Sequence, residues 1–216
     1  MGAEMSAEWK DYIELKNERP ELFAEGRQFQ IILDEKTVRD YCDKSGRKIG
    51  LLYRSPYTML LVDLVTDPEG NVFPYERIIP CAPKNAVVVV PMLNDKYVLL
   101  RQFRHSMRKE QYAFPRGYGE PDLTVEENAA KEISEELGAE VLSLSLLGKI
   151  APDSGILSSE VNAVICTVDK IEEKKDYEGI LETVLLSEDE ISEWIKNGKI
   201  VDGYTLASMS LLWSKR

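Results

Sequence analysis

The feature that most constrains the fold of this 216-residue chain is a run of four valines, Val87–Val90. The run lies in an apolar segment over 86–93, and Asn94 and Asp95 form a turn before a second strand-like segment over 96–102. A strand with one face in water alternates apolar and polar residues, whereas this run has no polar position. We therefore expect residues 87–90 to form a strand that is buried on both faces of a sheet.

Helices and further strands follow this segment in alternation. Capping boxes that begin at Thr124 and Ser187 predict two helices, which end before Gly138 and Gly198, and residues 204–214 predict a third. Strand patterns occur at 141–150, 161–168 and 181–186. This order predicts an α/β (α+β) fold in which residues 81–216 form a mixed sheet sandwiched by helices.

The first part of the chain has a different pattern. Residues 7–24 and 35–43 have helical character, and the second of these segments ends near Gly46. Residues 57–66 and 72–79 flank a dense turn cluster and predict a β-hairpin. We assign residues 1–80 to a separate N-terminal subdomain that is helical and β-rich.

Charge and cysteine content limit the classes of function. Lysine and arginine number 27 against 38 aspartate and glutamate residues, so the formal net charge is −11. Such a charge argues against nonspecific binding to nucleic acid or to an anionic membrane. The three cysteines, Cys42, Cys81 and Cys166, are odd in number and far apart, which is typical of reduced thiols in the cytoplasm. No secretory signal and no apolar run of membrane-spanning length is expected.

The segment from Gly117 to Ala139 carries the residues that point to chemistry. On a helix that turns about 100° per residue, Glu135 lies at about 300° and Glu136 at about 40° from Glu132. Three carboxylates on one stripe destabilise an isolated helix but bind hard divalent cations such as Mg²⁺. A solvated acidic face would have the same composition, so the spacing and the preceding glycine-containing loop, rather than the charge, favour a metal site.

The same segment resembles the Nudix box, whose pattern is G-x5-E-x7-R-E-U-x-E-E-x-G-U, with U apolar. The positions that match in register are Gly117, Glu132, Ile133, Glu135, Glu136, Gly138 and Ala139. The resemblance implies a Nudix α/β/α sandwich in which Glu132, Glu135 and Glu136 hold Mg²⁺ or Mn²⁺. Two positions differ, because Leu123 replaces the first glutamate and Lys131 replaces the arginine. In the family these two residues form a charged pair that supports the loop and the helix, and this chain has lost both members.

Residues ahead of the box extend the resemblance to ADP-ribose pyrophosphatases. The segments Val98–Arg104 and Gln111–Gly117 are similar to the R-Q-(aromatic)-R and E-x-P-x-G segments of that subfamily, although Gln111 or Tyr112 stands where glutamate is common. The resemblance implies a metal-dependent hydrolase that cleaves the pyrophosphate of a nucleoside diphosphate linked to another moiety, such as ADP-ribose or a nucleotide sugar. It also implies a homodimer formed through the N-terminal subdomain.

The resemblance further implies which side chains bind the substrate. The candidates are Arg101, Arg104, Arg116 and Glu160. Arg104 is preferred over Arg101 for a phosphate, which a guanidinium binds in a forked geometry. At the position of Arg116 the family often uses the backbone carbonyl as a metal ligand.

Nudix chemistry also needs a general base for the attacking water. A box glutamate, Glu135 or Glu136, is one alternative. A glutamate on a later loop is the other, and the candidates there are Glu160, Glu178 and Glu182. Glu178 ranks first among them by analogy with ADP-ribose hydrolases.

Other chemistries find little support in the sequence. His105 is the single histidine, which excludes a zinc site or a triad that needs two, and no G-x-S-x-G, P-loop or dinucleotide fingerprint is present. The main alternative is a catalytically weak Nudix-fold protein that binds or senses a nucleotide metabolite, which Leu123 and Lys131 motivate. The retained glutamates favour the enzyme. A nucleic-acid decapping or repair enzyme of the same family is disfavoured by the negative charge.

Overall fold

The computed structural model describes residues 4–82, 84–172 and 179–215. The chain divides into two units, each with its own sheet. The first comprises Met1–Cys81 together with Asp153–Ser158, and the second comprises Ala82–Pro152 together with Ser159–Arg216. The segment 153–158 therefore belongs to the first unit, although the chain reaches it from within the second.

The described part of the first unit contains two α-helices, a short 3-10 helix and an antiparallel sheet. In chain order they are α1 (Ala7–Glu18), the 3-10 helix (Pro20–Phe23), β1 (Gln30–Ile31), α2 (Glu35–Ser45), β2 (Gly50–Arg54), β3 (Thr58–Thr66) and β4 (Val72–Pro80). β3 pairs with β4 along one edge and with β1 and β2 along the other. The predicted hairpin is confirmed, and α2 ends at Gly46, whose φ of 69° lies in the left-handed region.

The core of the first unit forms where α1 packs on β3. Ser6 caps α1, and the buried residues Trp9, Tyr12 and Leu15 recur every three positions along it. They belong to one cluster with Leu61 and Leu64 of β3. Burial of a side chain of this size contributes about 1.5–3 kcal/mol. Packing, rather than the intrinsic propensity of a largely polar helix, therefore stabilises α1.

A buried acid, Asp63, lies in the middle of β3 and is 2% exposed. It accepts hydrogen bonds from the Tyr12 hydroxyl and from Nε and Nη2 of Arg77 on β4. The same guanidinium donates through Nη1 to the carbonyl of Leu22 at 2.8 Å and lies 5.7 Å from the ring centroid of Phe23. The buried charge is thus neutralised within the unit, which is the condition under which a buried carboxylate is tolerated.

The segment 153–158 lies along the outer edge of β4. Tyr75 Oη donates to the carbonyl of Gly155 at 2.8 Å. The amide of Ile78 donates to the carbonyl of Ile156 at 2.8 Å, and the amide of Ser158 donates back to the carbonyl of Ile78 at 2.9 Å. These bonds satisfy backbone groups at the edge of the sheet, which would otherwise be open to pairing with another strand.

The second unit contains seven strands and three α-helices among its described residues. In chain order they are β5 (Val87–Leu93), β6 (Lys96–Arg104), a 3-10 helix (His105–Met107), β7 (Lys109–Ala113), β8 (Arg116–Gly117), α3 (Val125–Leu137), β9 (Val141–Ile150), β10 (Val161–Val168), β11 (Ile180–Leu186), α4 (Glu188–Lys196) and α5 (Gly203–Trp213). No helix within the described ranges combines the length and the apolar character needed to cross a bilayer.

The sheet of the second unit is mixed and has helices on both faces. Its order is β11-β6-β5-β10-β9, with β7 paired to β6 and β8 paired to β5, and β5 with β10 is its parallel pair. All of Val87–Val90 are 0% exposed. The odd-numbered valines cluster with Ile133 of α3, and the even-numbered valines cluster with Ile191 of α4 and Met209 of α5. The predicted sandwich of a mixed sheet between helices is confirmed.

Candidate active site

α3 begins and ends where the capping residues predict. Thr124 Oγ1 accepts from the amide of Glu127 at 3.1 Å, and the Glu127 carboxylate accepts from the amide of Thr124 at 2.8 Å. The backbone amide of Thr124 and, to a lesser extent, its side chain lower the pKa of the Glu127 carboxylate by hydrogen bonding to it. Gly138 ends the helix with a φ of 59°. The Nudix segment is therefore a loop followed by a helix, as the capping signals and the resemblance predict.

A line of buried polar residues runs along α3 at a spacing of four. Asn128, Glu132 and Glu136 are 0%, 9% and 2% exposed. Residues four apart lie on the same face of a helix. The residue that follows each of these three is apolar, and together they form the stripe that packs on the sheet: Ala129, Ile133 and Leu137. Two carboxylates of the box are thus held at the margin of the hydrophobic core, where an ionised group is costly without a charged partner or a metal.

Gly117 leaves room for the carboxylate of Glu132. A Cβ atom built on Gly117 would lie 2.0 Å from both Cδ and Oε1 of Glu132. Any side chain at residue 117 would therefore force this carboxylate to move. The first glycine of the box is explained by this close approach.

Glu135 lies on a different line of α3 from the two buried acids. Its carboxylate pairs with Lys131 at 2.8 Å, and the two side chains are 39% and 34% exposed. Within the ranges that the structure describes, no three His, Cys, Asp or Glu side chains are grouped so that they could hold a metal ion as they stand. Glu132 and Glu136 supply two carboxylates on one face, and a rotation of Glu135 away from Lys131 is needed to add a third.

Lys131 has a second acidic partner on the loop before the helix. Its Nζ lies 2.8 Å from Oε1 of Glu120, whose side chain is 42% exposed. Glu120 and then Glu135 raise the pKa of Lys131, so the ammonium stays charged. The replacement of the box glutamate by Leu123 predicted that the charged pair of the box is lost. The structure corrects this expectation, because the loop supplies a carboxylate to Lys131 three residues earlier.

Two asparagines tie the loop to the rest of the second unit. Asn85 Nδ2 donates to the carbonyls of Glu120 and Leu123 at 2.8 and 2.7 Å. Asn128 Nδ2 donates to the carbonyls of Asn85 and Tyr118 at 2.9 Å each. Because each amide nitrogen faces two carbonyl oxygens, the orientation of both amides is determined. Asn85, Glu120 and Asn128 were not predicted from the sequence, and the signal that could have found Asn128 is its position four residues before Glu132.

Arg116 is anchored by the N-terminus of α5. Its Nη1 donates to Oδ1 of Asp202 at 3.0 Å, and its guanidinium lies 5.1 Å from the ring centroid of Tyr204. Asp202 is 7% exposed and also caps α5, where Oδ2 accepts from the amide of Thr205 at 3.0 Å. Thr205 Oγ1 in turn accepts from the amide of Phe114 at 3.0 Å. The network joins the strand end at residue 116 to α5 and orients the arginine side chain.

Arg101 and Arg104 both belong to β6, and their separation of three residues places them on opposite faces of that strand. Arg101 forms ion pairs at 3.1 Å with Glu110 on β7 and with Glu182 on β11. Glu182 also accepts a hydrogen bond from Tyr112 at 3.4 Å. Glu182 lies within β11, so the expectation that it belongs to a loop is wrong.

The remaining candidate acids, Glu160 and Glu178, are not on α3. Glu160 pairs with Lys149 at 2.9 Å, and both side chains are about 60% exposed, at 61% and 60%. Glu178 lies outside the described residues, so its role as a loop-borne base stays a prediction. The candidate acids with described positions therefore fall into three groups: the α3 residues, Glu182 on β11 beside Arg101, and Glu160 in an exposed ion pair.

Comparison with known proteins assigns the class of this chain. A profile of the NUDIX domain matches residues 82–202, which is more than half of the 216 residues. The chain belongs to the Nudix family. The match spans most of the second unit and includes the loop before α3 and the whole of that helix.

Two relatives share a name. The ADP compounds hydrolase NudE of Escherichia coli (strain K12) is 31% identical over 91 residues, which cover 42% of this chain and 48% of that protein. The aligned part thus spans about half the length of that relative. A crystal structure of an ADP compounds hydrolase is 21% identical, with a TM-score of 0.66 over 77% of this chain and 90% of that chain. This second likeness establishes the fold.

Proposed function

We propose that this chain is a metal-dependent hydrolase that cleaves the pyrophosphate of a nucleoside diphosphate linked to another moiety, with ADP-ribose or a nucleotide sugar as substrate. The observation that carries the proposal is the pair of buried carboxylates, Glu132 and Glu136, one turn apart on α3, with Glu132 against Gly117 of the Nudix loop. The likeness to a relative named for the hydrolysis of ADP compounds supports the substrate class.

Mg²⁺ or Mn²⁺ fits the donor set of this site. Both ions prefer oxygen ligands, and Glu132, Glu136 and Glu135 supply carboxylates within two turns of one helix. The close approach of Glu132 to Gly117 brings one of these carboxylates against the loop backbone. These carboxylates would hold the ion, which would supply positive charge to offset that of the substrate phosphates.

The protein groups have separable roles in this proposal. Arg104 binds phosphate, and Arg116, oriented by Asp202, presents a guanidinium next to the loop. A carboxylate accepts the proton of the attacking water, and the candidates are Glu135, Glu136, Glu160 and Glu178. Glu135 and Glu136 are already on the helix that carries the metal ligands, so they need the smallest rearrangement.

The test is hydrolysis by the purified chain. ADP-ribose, several nucleotide sugars and a dinucleoside polyphosphate are incubated with and without Mg²⁺ or Mn²⁺, and AMP and phosphate release are measured. The Glu136→Gln variant removes the charge of a buried box acid. The matched control is Glu126→Gln, which makes the same change at an exposed position in the first turn of α3.

Metal-dependent release of AMP that is lost in Glu136→Gln and kept in Glu126→Gln supports the proposal and identifies the substrate. Thermal stabilisation by a nucleotide metabolite without turnover of any compound contradicts it. That result would instead assign the chain to a catalytically weak Nudix-fold protein that senses a metabolite.

The proposal includes a homodimer formed through the first unit. This unit exposes an aromatic cluster, in which the ring of Phe29 lies 5.8 Å from Phe73 and 6.3 Å from Tyr75. Phe29 is 48% exposed and Val72 is 43% exposed, and exposed apolar residues of this size are typical of protein contacts. Light scattering should give the mass of two chains, and Phe29→Ser should shift it towards one chain. A single-chain mass for the unchanged protein would contradict the dimer.

A cytoplasmic location is the last part of the proposal. Cys42, Cys81 and Cys166 are all free in the structure. Burial raises the pKa of the Cys166 thiol to about 12, so this thiol is inert. Fractionation of cells that express the tagged chain tests the location, and recovery in a secreted fraction would contradict it.

A further inference from the structure

The position of Lys131 between two carboxylates has a consequence for the metal site. Its ammonium contacts Glu120 on the loop and Glu135 on the helix, each at 2.8 Å. The lysine therefore bridges the loop to α3. A pair of this exposure is worth little as a source of global stability, so its effect is local.

The loop that Glu120 belongs to contacts a candidate metal ligand. Gly117 at its start lies against the Glu132 carboxylate, and a Cβ there would be 2.0 Å from Oε1. The carbonyls of Tyr118, Glu120 and Leu123 are held by the amide groups of Asn85 and Asn128. The backbone of the loop is thus held by amides, and the Glu120 side chain ties the loop to Lys131 of α3.

Glu120 also determines what Lys131 does when Glu135 moves. Glu135 must leave Lys131 to join Glu132 and Glu136 around a cation. If Glu120 were absent, Lys131 would keep Glu135 as its acid partner and compete with the cation for it. With Glu120 present, the ammonium retains a carboxylate after Glu135 has turned away.

We propose that Glu120 is a positioning residue that takes the place of the box glutamate replaced by Leu123, holding Lys131 and the loop so that Glu135 is available to a divalent cation. The part of this inference that concerns the cation rests on the proposed function. The part that concerns the loop does not, because it follows from the bond between Glu120 and Lys131 in the metal-free protein.

The test compares four proteins: the unchanged chain, Glu120→Gln, the double variant Glu120→Gln with Leu123→Glu, and the control Glu126→Gln. Mn²⁺ affinity is measured by the electron paramagnetic resonance of unbound Mn²⁺, without substrate. Hydrogen exchange of the amides of residues 117–124 is measured without metal, and the melting temperature of each protein is recorded.

We expect Glu120→Gln to weaken Mn²⁺ binding by about tenfold or more, the size typical of a lost partner of a metal ligand. Exchange over 117–124 should become about two- to fivefold faster, as the loss of one ion pair allows. The melting temperature of Glu120→Gln should equal that of the control Glu126→Gln. Leu123→Glu in the same chain should restore both readouts, since it returns a carboxylate to the position that the box uses.

Unchanged Mn²⁺ affinity and unchanged exchange in Glu120→Gln would overturn the proposal. Weaker binding that Leu123→Glu does not restore would overturn the claim that Glu120 replaces the box glutamate. If the unchanged chain binds Mn²⁺ but hydrolyses nothing, the proposed function fails. The role of Glu120 is then decided by whether Glu120→Gln binds Mn²⁺ more weakly than the unchanged chain. If it binds no Mn²⁺, the exchange rates alone decide whether Glu120 holds the loop.

Discussion

Asp63 of the first unit and Glu136 of the second are both carboxylates that are 2% exposed, yet their surroundings differ. Asp63 receives two hydrogen bonds from the Arg77 guanidinium and one from Tyr12, so folding alone neutralises its charge. Glu136 lies on a helix that gathers Glu132 and Glu135 within the same two turns, so acids accumulate there.

The comparison teaches how burial of a charge distinguishes structure from function. When a buried acid is paired with a cation, removal of either partner strongly destabilises the fold. Acids that are collected beside one another oppose folding and are kept where a ligand or a reaction needs them. The same chemical change, from a carboxylate to an amide, should therefore act chiefly on stability at Asp63 and chiefly on activity at Glu136.

The largest expected effect is on stability in the first unit. Asp63→Asn should lower the free energy of unfolding by about 3–5 kcal/mol, because Arg77 and Tyr12 lose the buried charge that they bind. Urea unfolding measures this loss. The double variant Asp63→Asn with Arg77→Met should lose less than the two single variants added together, since no charge is then left without its partner. Additive losses would show that Asp63 and Arg77 are not coupled, and Asp63 would then not serve as the structural acid of the comparison.

The second effect is on activity. Glu136→Gln should reduce hydrolysis by about 100-fold or more, which corresponds to about 2.7 kcal/mol of transition-state stabilisation. Its free energy of unfolding in the absence of metal should be unchanged or higher, since the amide removes a charge from the acidic helix. A loss of stability as large as that of Asp63→Asn would place Glu136 among the structural acids.

A third change sharpens the comparison at the loop. Gly117→Ala places a Cβ where the Glu132 carboxylate lies, and the flexible end of this side chain can move without unfolding α3. Mn²⁺ affinity, measured by electron paramagnetic resonance, should fall by about 10- to 100-fold with little loss of stability. Gly26→Ala is the control, because its Cβ would meet the carbonyl of Phe29 at an ordinary 3.5 Å. Equal affinities in the two variants would show that Glu132 does not need the space.

The smallest expected effect is at the exposed ion pair of the second unit. Glu160→Gln and Lys149→Met each break a pair that is about 60% exposed, and each should change the free energy of unfolding by less than about 0.5 kcal/mol. A substrate role for Glu160 predicts a raised KM in Glu160→Gln that is absent in Lys149→Met. Equal KM values in the two variants would leave Glu160 as a surface residue.

Long elements with local signals could be predicted from the sequence. The capping boxes at Thr124 and Ser187 and the run of valines give α3, α4 and β5 because the atoms that determine them are close in the chain. The short strands β1, β2, β7 and β8 were not predicted, since two to five residues without alternation carry too little local signal. Their pairing is decided by the strands beside them.

The candidate site shows the same division. The box positions predicted Glu132, Glu135 and Glu136 as one stripe, whereas the structure places Glu135 beside Lys131 and separates it from the two buried acids. The rotation per residue of an α-helix determines the position of each Cα atom around the axis, but it does not determine which rotamer each glutamate adopts. The rotamer of Glu135 is determined by the neighbouring ammonium of Lys131.

By itself, the sequence determined the Nudix helix, its caps and the long strands of the sheet on which it packs, since helical and strand periodicity are local properties of the chain. Only the tertiary structure decided that Glu120 reaches Lys131, that Asn85 holds the loop, and that residues 153–158 join the first unit. The physical reason is that these contacts are formed by residues 11 to 80 positions apart, as in the Glu120–Lys131 and Tyr75–Gly155 pairs. Such contacts depend on how loops are closed by packing, which no local pattern records.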